Sequence, residues 1–177
     1  MKTALGTILI TEEDIQRRIA ELGRRISNDY AGRTVTLVGI LKGCFIFLAD
    51  LMRAISLDVP VEVDFMSVSS YGDATTTSGT IHIEKDLGIS VAGKDIIIVE
   101  DIVDTGLTVL HVYNILSARG ARSLRVAALL EKPGNSKYDR PLDYLGFQIP
   151  NKFVVGFGLD YAQRYRNLPD IRVLDEI

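Results

Sequence analysis

The run Asp95-Ile96-Ile97-Ile98-Val99-Glu100-Asp101-Ile102-Val103-Asp104-Thr105-Gly106-Leu107-Thr108 decides how this chain is organised. Ile96 to Val99 are consecutive β-branched apolar residues with no polar face between them. Such a run fits a strand buried on both sides, as in a parallel sheet covered by helices. The strand is predicted over Asp95–Val99 and ends at the acids Glu100-Asp101. Beyond Thr108 the period changes. Val109, Val112, Tyr113 and Leu116 fall on one helical face, and Gly120 supplies a C-terminal stop.

The same alternation extends in both directions. Val35–Leu41 reads as a second buried strand, interrupted by Lys42-Gly43. Leu48, Leu51, Met52 and Ile55 then predict a helix over Cys44–Ile55. Leu124–Leu130 is a third strand, ending at Glu131-Lys132-Pro133-Gly134, and Phe153–Leu159 a fourth. Thr11 to Ile26 reads as an amphipathic helix, with Thr11 as N-cap and Glu12, Glu13 and Asp14 where the helix dipole favours negative charge. Val61–Val68 starts with the apolar–acidic alternation of a half-buried strand. Ser69–Gly79 offers Tyr71 as its one core anchor and is expected to be a long mobile loop; Thr80–Glu84 is expected to return antiparallel. The order implies an α/β fold, a mostly parallel sheet with helices on both faces. The length, 177 residues, fits one domain spanning 1–177.

Composition narrows the function classes. Hydrophobic residues make up 47 % and charged residues 24 %, which excludes a disordered chain. The net charge of −3 gives no basic surface for nucleic acid. Cys44 is the single cysteine, so neither an intrachain disulfide nor a multi-cysteine metal site is expected. His82 and His111 show no ligand spacing. No segment reaches the roughly 20 apolar residues of a membrane span, and Met1–Ile10 does not read as a signal peptide. A cytoplasmic protein with a reduced Cys44 is the expectation, Cys44 serving as a small packing residue.

Ligands of open parallel sheets bind beyond the carboxyl ends of the strands. Lys42-Gly43, Glu100–Thr108, Lys132 and Asp160 all sit at such predicted ends. In Asp104–Thr108, Gly106 permits close backbone approach, Thr105 and Thr108 add hydroxyls, and the following helix offers unpaired N–H groups to an anion. Glu100, Asp101 and Asp104 would repel a bare phosphate. A sugar phosphate with free hydroxyls, together with Mg²⁺, satisfies both halves. The spacing is not that of a P-loop. The bland alternative is an acidic helix start capped by Asp104 or Thr105.

Glu100–Thr108 resembles the phosphoribosyl-pyrophosphate (PRPP) motif of the type I phosphoribosyltransferases. Leu41-Lys42-Gly43 is similar to that family's pyrophosphate loop, and Ser69-Ser70-Tyr71-Gly72 to the start of its flexible catalytic loop. Glu131-Lys132-Pro133, Lys152–Tyr161 and Arg166 resemble the purine-binding end of the hypoxanthine-guanine branch. The resemblance implies that fold, with a small hood from the chain termini, and a Mg²⁺-dependent transfer in purine salvage. PRPP would give its 5-phosphoribosyl group to N9 of hypoxanthine or guanine, yielding IMP or GMP and pyrophosphate.

It also implies roles. Asp104, Thr105, Gly106, Leu107 and Thr108 would hold the 5′-phosphate, and Glu100 and Asp101 the ribose hydroxyls, directly or through Mg²⁺. Asp104 would be the catalytic proton acceptor near N7. Lys132, a donor only, would select a 6-oxo group over adenine's amino group. Phe153 would stack on the purine, although a strand aromatic is ordinarily core, and the Val154 carbonyl would meet the purine edge. Asp160 would position a second Mg²⁺ through water. Lys42 and Gly43 would bind pyrophosphate through backbone N–H groups, after a peptide bond that is often cis in the family. Arg166 would add a side-chain contact, and Ser70 and Tyr71 would close over the site. The family assembles as homodimers or homotetramers. Two alternatives stand beside this reading: an RNA-binding regulator on the same fold, and a transferase for xanthine, adenine or uracil.

Overall fold

Strand β5 lies inside the sheet, and its burial explains the layers on either side. The computed structural model describes residues 4–70, 81–134 and 136–175. Element order is β1 (Ala4–Ile10), α1 (Glu12–Asp29), β2 (Val35–Leu41), α2 (Phe45–Ala54), β3 (Val61–Ser70), β4 (Ile81–Lys85), β5 (Asp95–Val103), α3 (Leu107–Ala118), β6 (Ser123–Glu131), β7 (Tyr144–Gln148), β8 (Val154–Val155) and β9 (Ile171–Asp175). The main sheet runs β4-β3-β2-β5-β6-β7. Its pairings are parallel except β3 with β4, which is antiparallel as expected. Alternate residues of β5 face opposite layers. Ile97 and Val99 join α1 and α2 through Ile15, Ile19, Leu22, Phe47 and Leu51. Ile96 and Ile98 join α3 through Val109, Val112 and Leu116. Each such buried side chain contributes roughly 1.5–3 kcal/mol.

Several boundaries differ from the sequence expectation. β5 continues past Glu100 to Val103, because Glu100, Ile102 and Val103 still pair with Ala128, Leu130 and Glu131 of β6. β7 carries no strong pattern and was not expected. The predicted strand Phe153–Leu159 reduces to β8, outside the main sheet, in a small antiparallel sheet β1-β9-β8. Positive φ at Gly156, Phe157 and Gly158 (103°, 48° and 99°) turns the chain away there. Asp160 therefore does not end a main-sheet strand. In α2 Phe47 is buried while Met52 is exposed, so the inward face differs by one position. α1 is capped by Thr11 as predicted, its hydroxyl accepting from the Asp14 N–H, but runs on to Asp29. Ser69 and Ser70 belong to β3; the rest of the predicted mobile loop, through Gly79, lies outside the described residues. Among the described residues no helix is long and apolar enough to cross a membrane.

The small sheet is the hood built from both chain ends. Ile10, Val154, Phe157, Leu159 and Ile171 bury into the same core cluster as α1 and α2. At the far edge, Arg18 of α1 donates from Nε to the Gly146 carbonyl (3.1 Å) and from Nη2 to that of Leu145 (2.8 Å). Arg25 reaches the Asp143 carbonyl at 3.0 Å. α1 is thereby bound to the backbone of edge strand β7.

Candidate active site

Because β2, β5 and β6 are parallel, their carboxyl ends bring Lys42, Asp104 and Lys132 to one side of the sheet. Asp104 and Lys132 meet there: Lys132 Nζ donates to Asp104 Oδ2 at 3.1 Å. The Lys132 side chain is only 13 % exposed, so it is not the solvated lysine of a surface turn. A donor-only cation and an acceptor-only anion thus stand side by side, a pair suited to a heterocycle edge that carries a carbonyl and a titrating nitrogen.

Three separated segments converge beside them. A Cβ on Gly43 would overlap Asp101 Oδ2, and a Cβ on Gly158 would overlap the Gly43 carbonyl oxygen. Glycine at 43 and 158 is what lets the β2–α2 turn, the acids of β5 and the hood come into contact. The Leu41–Lys42 peptide is cis, as the resemblance implies. Arg166 joins from the hood, its Nη1 donating to the Gly158 carbonyl (2.7 Å) and its Nη2 lying 2.8 Å from Asp160 Oδ1. Asp160 Oδ2 also accepts from the Gln163 N–H at 2.8 Å. Arg166 is therefore not simply solvated.

The electrostatics are uneven. Glu100 is buried, and its Oε2 has no hydrogen-bond partner among the described residues. Burial, then the charge of Asp101, pushes its carboxyl well above the usual carboxylate range. Burial also raises Asp101, against hydrogen bonds from Glu100 and the Ile102 N–H and the charge of Arg166. Cys44 is fully buried; burial and then these two acids push its thiol up, which fits a packing residue. Among the described residues no three His, Cys, Asp or Glu side chains gather into a metal-holding group, so Asp160 does not join Glu100 and Asp101.

α3 starts at Leu107 with Gly106 as N-cap, φ +69°, and no side-chain cap bond. The cap by Asp104 or Thr105 that the bland alternative required is absent there, so neither side chain is committed to the helix start. Phe153 is 53 % exposed and meets Tyr161 edge-on at 5.7 Å between centroids, which removes the core reading. Val154 is buried and pairs with Val173. Ser70 ends β3 opposite Ile81, while Tyr71 lies outside the described residues. Sequence reasoning included Gly158 and Tyr161 in the Lys152–Tyr161 resemblance without giving them a part, and it missed Gln163. The Gly156-x-Gly158 pattern was the available signal, but it reads as a failed dinucleotide fingerprint rather than as a contact with Gly43.

The chain is similar to known proteins over nearly its whole length. A phosphoribosyl transferase domain model matches residues 9–162. The chain is 47 % identical over 174 residues to the hypoxanthine-guanine phosphoribosyltransferase of Bacillus subtilis, covering 98 % of this chain and 96 % of that one. It is 48 % identical to the hypoxanthine phosphoribosyltransferase of Salmonella typhimurium, covering 96 % and 97 %. A crystal structure of a Staphylococcus aureus hypoxanthine phosphoribosyltransferase superposes with a TM-score of 0.91 at 46 % identity, covering 97 % and 92 %.

Proposed function

Because this chain belongs to the phosphoribosyltransferase family, we propose that it is a purine-salvage enzyme transferring the 5-phosphoribosyl group of PRPP to N9 of hypoxanthine and guanine. The products are IMP or GMP and pyrophosphate. The observation that carries this reading is the Lys132–Asp104 pair, 3.1 Å apart, beside an uncapped helix start.

Backbone N–H groups of Asp104–Thr108 hold the 5′-phosphate, where the first-turn amides of α3 have no intrahelical acceptor. The N–H groups of Lys42 and Gly43, with the Arg166 guanidinium, hold pyrophosphate. Phe153 presents an exposed ring to the purine face, and the Val154 carbonyl accepts from the purine edge. Lys132 donates to the 6-oxo group; adenine's amino group would leave its ammonium facing a donor. Asp104 accepts the proton at N7 as N9 attacks C1′ and the bond to pyrophosphate breaks. By the family resemblance Ser70, and Tyr71 outside the described residues, would serve to exclude water.

The acids fit a divalent cation shared with substrate oxygens. Glu100 Oε2 lacks a partner among the described residues, and buried Glu100 ionises at a cost that the charge of half-buried Asp101 adds to and a cation or hydroxyl donors would offset. Glu100 and Asp101 would hold Mg²⁺ with the ribose hydroxyls, and Asp160 would reach a second Mg²⁺ through water. When bound, Mg²⁺ neutralises charge on the departing pyrophosphate. Residues 1–177 act as one domain in a cytoplasmic homodimer or homotetramer.

A steady-state assay with PRPP, Mg²⁺ and each free base tests the reading. Turnover of hypoxanthine or guanine is expected, with adenine and uracil poor. Adenine turnover equal to that of hypoxanthine would overturn the role of Lys132, and no nucleotide from any purine would overturn the function.

A further inference from the structure

We infer that segment 136–138 holds the phosphate cradle in shape from behind, making Lys137 and Tyr138 positioning residues; this rests on the phosphate role proposed above for Asp104–Thr108. The Lys137 N–H donates to the Thr105 carbonyl at 2.7 Å. Across a trans peptide, the carbonyl and the next N–H point in opposite directions. Fixing the Thr105 carbonyl on Lys137 therefore turns the Gly106 N–H away from this segment, toward the side where an anion would sit.

Contact behind Gly106 is tight. A Cβ there would lie 2.6 Å from Ser136 Oγ and 2.7 Å from Tyr138 Cβ. Gly106 thus lies directly against the brace and holds a left-handed φ of +69°. The brace is itself anchored. Ser136 Oγ accepts from the Tyr138 N–H at 3.2 Å. Tyr138 is buried and meets Tyr113 of α3 edge-on at 6.2 Å, while the Arg140 guanidinium covers the Tyr113 ring at 4.6 Å. Cradle, helix, aromatic pair and brace close into a ring, so α3 cannot tilt without disturbing the Gly106 amide.

Lys137→Pro removes the N–H, Lys137→Ala keeps it, and ribose 5-phosphate reports the cradle without the reaction. In folded Lys137→Pro, the Kd for ribose 5-phosphate and the KM for PRPP are expected to rise roughly tenfold. The purine KM should hold and kcat stay within about threefold. Lys137→Ala should follow the wild type. Tyr138→Ala is expected to give the same split and Tyr138→Phe to rescue it, which decides the matter if the proline variant does not fold. Wild-type affinity in Lys137→Pro or Tyr138→Ala overturns the inference. So does an equal loss in Lys137→Ala, which would assign the effect to the ammonium. A wild type that binds ribose 5-phosphate but makes no nucleotide overturns only the function; one that does not bind it overturns the brace.

Discussion

Strand β5 carries a carboxylate at its start and two more in its second half, and the two places follow opposite rules. At its start Asp95 is buried but answered on every side. Arg122 donates from Nε (3.0 Å) and Nη2 (2.5 Å), Ser123 Oγ at 2.6 Å and Arg33 Nη1 at 3.3 Å. The Arg122 hydrogen bonds, against the cost of burial, hold its carboxyl down at about 2. Further along the same strand, burial and then the charge of Asp101 push Glu100 upward. One end is satisfied within the protein. The other leaves Glu100 Oε2 without a hydrogen-bond partner among the described residues, which costs the fold stability.

The sharpest way to break this contrast is Asp104→Asn. Turnover is expected to fall roughly 100-fold or more with PRPP affinity nearly kept, because a proton acceptor is lost and the cradle is not. Unchanged kcat would end the assignment. Next, Lys132→Ala is expected to cut discrimination between hypoxanthine and adenine by about 10–100-fold, measured as the ratio of kcat/KM values.

At the opposite end Asp95→Asn should leave kcat alone and lower stability. The expected loss at pH 7 is about 1–2 kcal/mol in urea unfolding, discounted because the Arg122 side chain is 56 % exposed. The folded pKa is depressed, so the wild-type contribution is present above about pH 4 and lost as pH falls through about 2. A variant as stable as the wild type at pH 7 would make the network ornamental.

The smallest effect has the reverse sign. Glu100 has a raised folded pKa, so its contribution is complete below the unfolded value and lost as pH rises through the folded one. Glu100→Gln is expected to stabilise the ligand-free protein by about 1 kcal/mol at pH 8, with little gain at pH 4. It should also weaken Mg²⁺-dependent PRPP binding. Equal unfolding midpoints at pH 8 would refute the idea of an uncompensated charge.

Local signals were readable and distant ones were not. Ile96–Val99 announced a central strand, and Val109–Leu116 the helix that follows it, because each signal acts over neighbouring residues. β7 escaped because Leu145 and Phe147 are only half-buried and its place comes from pairing with β6. The acids were read as the end of β5, although ladder bonds to β6 carry it on to Val103. Phe153 could have been core or site, and only its exposure separates the two. The approach of Gly43 to both Asp101 and Gly158 joins segments far apart in the chain, so no window of sequence contains it.

The grip of Arg18 on the Leu145 and Gly146 carbonyls links residues that are made well apart in time during translation. α1 emerges from the ribosome early, but its docking partner arrives only after most of the sheet has been synthesised. A chain stalled before Tyr144 would present β6 as a bare, apolar margin open to other nascent chains. Arrival of β7 therefore covers the most apolar margin of the growing sheet and moves its edge to a strand that α1 already grips.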